Sequence, residues 1–125
     1  MKAGASDFAV VFDGLKRILR KHQRGTLIGT DKPGNYTLIG PATEKTRGRP
    51  MWFGAVKTEK RYVSFHLMPV YGCHELLEGM SPELKKRMQG KACFNFTEVD
   101  DALFAELAAL TERGYERFKE LKYIA

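Results

Sequence analysis

The chain has 125 residues, 43% of them hydrophobic and 29% charged, with a formal net charge of +6. That is the size of one ordinary domain and the composition of a soluble globular protein; no apolar run approaches the roughly 18 residues a membrane helix needs, and the early acid at Asp7 argues against a signal peptide. Two cysteines, Cys73 and Cys93, are too few for a disulfide framework, so a cytoplasmic, reduced protein is expected.

The first predicted element is an amphipathic helix. Ser6 is placed to cap it, Phe8, Val11, Phe12, Leu15, Ile18 and Leu19 fall within one arc at 100° per residue, and Gly25 is placed to end it. Arg17, Arg20, Lys21 and Arg24 share the opposite arc. Residues 24–50 are rich in Gly and Pro, with Asn35–Ile39 as the best strand candidate and Ala42–Arg49 as an exposed loop. Residues 51–57 and 62–68 read as a hairpin across Thr58-Glu59-Lys60-Arg61. Alternation sets Val63, Phe65 and Leu67 on one face and Tyr62, Ser64, His66 and Met68 on the other. Pro69 closes the second strand. Ser81-Pro82 is a cap followed by proline at the first helical position, predicting a short helix over Pro82–Met88 that Gly90 ends. Residues 91–97 form a returning strand, with Ala92, Phe94 and Phe96 facing one way and Lys91, Cys93 and Asn95 the other. From Asp100 a long helix carries an apolar stripe of Leu103, Leu107, Leu110, Gly114, Phe118 and Leu121. The expected fold is one α+β domain, with a largely antiparallel sheet flanked by the N-terminal and C-terminal helices.

In pattern, Trp52-Phe53-Gly54-Ala55-Val56-Lys57, Tyr62-Val63-Ser64-Phe65-His66-Leu67, Met88-Gln89-Gly90-Lys91-Ala92-Cys93-Phe94-Asn95-Phe96 and the closing helix together resemble the YdhG-like domain family, over roughly residues 50–120. The resemblance implies a single YdhG-like α+β domain over residues 1–125 and supplies no settled activity. Some members carry a frataxin-like iron-chaperone label, so that role is one implied alternative. Hard iron asks for a ridge of carboxylate oxygens, whereas the first helix offers Asp7 and Asp13 and then turns basic.

Three candidate sites follow from the residues. The first is a polar sheet face made of Tyr62, Ser64, His66, Cys93 and Asn95, joined by Trp52. Aromatic walls with a few convergent polar groups suit a small or anionic ligand. Its bland alternative is a face covered by the 74–88 helices, with His66 and Asn95 satisfied by backbone. The second is a metal site from Cys73, His74, Cys93 and His66; the spacing is not that of a chelating set, so neither a metal nor a cofactor is expected. The third is nucleic-acid binding through residues 14–49, where nine basic side chains outweigh Asp31 and Glu44 for a balance of +7. Arg17, Arg20, Lys21, Arg24, Lys45, Arg47 and Arg49 would meet phosphates there. No nucleophile-elbow, phosphate-loop or zinc-protease motif is present, so the expected function is a non-enzymatic binding or interaction module.

Overall fold

The computed structural model describes residues 5–40, 52–90 and 92–121, without the side chains of 5–7, 72 and 74. In chain order it comprises α1 (Ala5–Arg20), β1 (Leu27–Lys32), β2 (Asn35–Ile39), β3 (Trp52–Thr58), β4 (Val63–Leu67), α2 (Met68–Gly72), a 3-10 turn (His74–Leu77), α3 (Pro82–Lys85), β5 (Met88–Gln89), β6 (Cys93–Phe96) and α4 (Asp101–Glu120). The strands form one six-stranded sheet in the order β1-β2-β3-β4-β6-β5. All its pairings are antiparallel. The fold is a single-sheet α+β domain with a helix at each end, as the sequence predicts.

The apolar arcs explain the layering. Val11, Phe12, Leu15 and Leu19 of α1 and Leu103, Phe104, Leu107, Leu110 and Phe118 of α4 are buried in one cluster with Val63, Phe65, Leu67, Phe94 and Phe96 of the central strands. Phe8 packs at its margin. Burying each such side chain stabilises the fold by about 1.5–3 kcal/mol before chain entropy is subtracted. Helix α1 packs on β3 and β4 and also on α4, so the long helices share one side of the sheet. Rings lock the layers: Phe96 meets Phe104 edge-on at 5.0 Å, and Phe53 meets Phe118 at 6.1 Å. The caps at the C-terminal half behave as expected. Asp100 accepts from the Leu103 amide at 3.0 Å, and Ser81 accepts from that of Leu84 at 3.1 Å.

Several boundaries differ from expectation. Helix α1 includes Ser6, and it ends at Arg20 rather than Gly25. Past that end the chain tightens into a 3-10 turn over Gln23–Gly25, and His22 turns inward to stack on Tyr115 at 4.6 Å. The short helix stops at Lys85, not Met88: Met88 and Gln89 pair with Phe94 and Cys93 instead. Gly90, at φ 79, makes the reversal into β6 rather than a helix stop. Strand β1 is unforeseen. It is an edge strand, mostly exposed, and it bulges at Gly29, since Ile28 pairs with Leu38 but Thr30 with Thr37. The predicted loop 42–49 lies outside the described residues.

A second bulge matters more. Leu38 pairs with Gly54 while Ile39 pairs with Trp52, so Phe53 is an extra residue in β3. Strict alternation from Ala55 would send Phe53 to the open face and Trp52 into the core. With the bulge, Phe53 is fully buried against Tyr115 and Phe118, and Trp52 is left outside. Bulges beside sites re-aim side chains in this way.

Candidate functional site

The sheet face opposite the helices carries a cavity of about 430 Å³, lined by Trp52, Ala55, Lys57, Glu59, Tyr62, Ser64, His66, Gln89, Cys93 and Asn95. That volume lies within the range of small-molecule pockets, about 300–1,000 Å³. All six residues selected from the sequence for a ligand site line it. The segments at 68–72, 74–77 and 82–85 pack toward α4 rather than over the cavity, which is open among the described residues.

Register builds the floor. One cross-strand row runs Ala55, His66, Cys93, Gln89, and the next runs Lys57, Ser64, Asn95. Directly opposed residues sit about 4.5–5.5 Å apart at Cβ, so these rows bring thiol, imidazole, hydroxyl and amide groups together without help from any loop. The neighbouring positions Val63, Phe65, Phe94 and Phe96 point into the core, which pins the register. Trp52 stands at the rim, 43% exposed, with the Lys57 ammonium 5.8 Å from its ring centre. The Asn95 amide donates to Gln89 Oε1 at 2.6 Å.

At the centre, the Cys93 sulfur lies 2.6 Å from His66 Nδ1 and 3.2 Å from Nε2. Either ring nitrogen can accept the thiol hydrogen, according to the tautomer of the imidazole. Burial pushes the Cys93 thiol above its ordinary value, and Glu59 adds to that. Burial pulls the His66 imidazole below its ordinary value, and Lys57 adds to that. Both partners are therefore neutral near pH 7: a thiol donating to an imidazole, not an ion pair.

Lys57, Glu59 and Gln89 are site residues the sequence reading missed. Lys57 had a usable signal, because it stands across the hairpin from Ser64. Gln89 had none, since it read as the end of a helix. A larger cavity of about 660 Å³ lies between α1 and the Pro33-Gly34 turn. Its Lys16 and Asp31 already neutralise each other at 3.0 Å.

Of the metal candidates, His66 and Cys93 meet in the cavity and Cys73 does not join them. Cys73 is buried in the core at 6% exposure whereas Cys93 opens on the cavity. The His74 side chain lies outside the described ones, and among the described residues no three His, Cys, Asp or Glu side chains form a metal-holding group. Of the basic region, Arg17, Arg20, Lys21 and Arg24 are exposed. Lys45, Arg47 and Arg49 lie outside the described residues, so the other half of that surface is not drawn. No helix among the described residues is long and apolar enough to cross a membrane. In comparisons with known proteins, no family model, no curated protein and no solved structure matches the chain.

Proposed function

We propose that this is a non-enzymatic binding module of the reduced cytoplasm, which takes a small, partly planar polar ligand on the open face of its sheet. One observation carries the reading: three strands in fixed register, with Tyr62 just ahead of β4, bring Trp52, Tyr62, Ser64, His66, Cys93 and Asn95 to a single cavity of about 430 Å³. The aromatic rings offer a flat wall, and the neighbouring hydroxyl, amide and imidazole groups offer directional partners. Lys57 supplies the attraction for an anionic substituent, tempered by Glu59 in the same lining. Among the described residues the cleft holds no paired carboxylates, and its one nucleophile–base pair, Cys93 with His66, is neutral, so we favour binding over turnover. A YdhG-like assignment fits this reading; its iron-chaperone variant has the least support, because the end of α1 and the turn after it expose Arg17, Arg20, Lys21 and Arg24 rather than carboxylates.

Trp52 is the chain's single tryptophan, so its emission reports the site directly. Metabolites and anions screened against that signal should yield binders that also raise Tm. Silence in both readouts across the screen would sink the proposal. A second reading, nucleic-acid binding, is favoured by the exposed Arg17, Arg20, Lys21 and Arg24 at the end of α1. It expects affinity that falls steeply with salt and weakens for any sequence in the Arg17→Ala, Arg20→Ala double variant.

A further inference from the structure

We infer that Cys93, with His66 as its proton acceptor, is a covalent attachment site for small planar α,β-unsaturated carbonyl compounds that enter the cleft lined by Trp52 and Tyr62. The inference rests on the binding reading above and names the chemical class of ligand for which the cleft's centre is built.

Two features of the pair support it. His66 and Cys93 are directly opposed residues of β4 and β6, and their side chains meet at 2.6 Å within the cavity lining. Their neutrality also fits an addition. A neutral imidazole is ready to take a proton, so the thiol becomes a thiolate only as it attacks, with no need for a standing charge in a half-buried cleft.

A third observation, independent of the pair, points to a ligand. Ser64 lines the same cavity at 9% exposure. Its hydroxyl donates to the Lys57 carbonyl at 3.5 Å, a long contact. That is beyond the usual limit of about 3.0 Å for an O–H···O bond. A nearly buried hydroxyl left in this state is suited to donate to the carbonyl oxygen of a bound molecule.

The step balances without any further reagent. The Cys93 sulfur forms a bond to the β-carbon of the ligand, and the carbon–carbon π pair moves to the α-carbon and carbonyl oxygen as an enolate. The thiol proton passes to the facing ring nitrogen of His66 and from there to the α-carbon. No group leaves, and nothing is oxidised or reduced. Acyl transfer would need a leaving-group path and oxyanion donors. Disulfide chemistry within the chain would need a second thiol, and Cys73 is held in the core.

N-ethylmaleimide is the probe, with labelling of the full chain at neutral pH followed by mass spectrometry and peptide mapping. Cys93 should be labelled well ahead of Cys73. Both His66→Gln and His66→Asn should slow its labelling by at least about tenfold, the low side of what a positioned base contributes. In these variants the rate should climb with pH as thiolate population alone dictates, while the parent profile is flatter. A merely structural role for His66 would leave the shape of that profile unchanged. Equal Cys93 rates in parent and both variants, or Cys73 labelled in step with Cys93, overturns the inference. The two readings fail separately. A responsive Trp52 with labelling indifferent to His66 removes the thiol inference alone, and a silent Trp52 with labelling dependent on His66 removes the pocket reading alone.

Discussion

Replacing Gly54 with alanine should destabilise the protein through one predictable collision. A Cβ built there lies 2.7 Å from Leu19 Cδ2 and 3.0 Å from the His66 carbonyl oxygen. Leu19 is fully buried within the core cluster. The His66 carbonyl belongs to the backbone of β4, which is held by its pairing with β3. Neither neighbour gives way cheaply, so the substitution falls among overpacking changes that cost about 1–3 kcal/mol. At about 4 °C per kcal/mol for a chain this size, Tm should drop by roughly 4–12 °C. The cause is isolated by pairing it with Leu19→Ala, which alone should cost about 2–5 kcal/mol. In the double variant the new methyl enters the space that Leu19 vacates, so the sum of the single effects should exceed the combined effect by about 0.5 kcal/mol or more. Urea titration of the four proteins measures this. A parent-like Gly54→Ala, or strict additivity, would falsify the account of how α1 seats on β3.

Asp100→Ala removes the cap of α4 and should lower stability by about 1 kcal/mol in the same titration; no loss would mean that the 3.0 Å contact to the Leu103 amide is energetically idle. Glu106→Ala should loosen the α3–α4 junction by a comparable amount, because its carboxylate accepts from both the Ser81 amide at 2.7 Å and the Ser81 hydroxyl at 2.6 Å. His22 is lowered from its ordinary value of 6.5 chiefly by burial, against an upward pull from Glu112. The unfolded chain therefore takes the proton first, so stability is full above 6.5 and declines as pH falls from there through the lowered folded value. His66 acts in the same direction. Tm should accordingly fall between about pH 7.5 and about pH 5.5, and His22→Phe should flatten that fall; an unchanged slope counts against a neutral buried His22.

The central strands were legible because their periodicity is strict. Val63, Phe65 and Leu67 alternate with Ser64 and His66, so both the core face and the open face could be read before any pairing was known. What lay beyond reach was whatever depends on pairing rather than on pattern. Strand β1 sits at an edge with Leu27 and Ile28 both about half exposed, and no alternation betrays it. Met88-Gln89 follows a capped helical turn, and only its register with β6 makes it a strand. Lys57 and Glu59 joined the cleft through geometry that a single strand does not encode. The Cys93–His66 contact falls between these cases. Each side chain was assigned to the right face, but their direct opposition depends on which residues of β4 and β6 lie across from one another.

Phe53, the extra residue in β3, separates two demands that a regular strand would tie together. In an unbroken strand counted back from Ala55, Phe53 would face the cleft and Trp52 the helices. Here they are neighbours in sequence facing opposite ways: Trp52 stands partly in solvent while Phe53 is sealed between the sheet and Phe118. The rim can therefore drift, trading indole for another side chain and so retuning what the cleft admits, while the anchor beneath it stays put. Loss of a single residue at this point would be of another kind. Removal of Phe53 itself would restore regular alternation with Trp52 still on the open face, and would take away only the ring that packs on Phe118, so core packing would suffer while the rim keeps its indole.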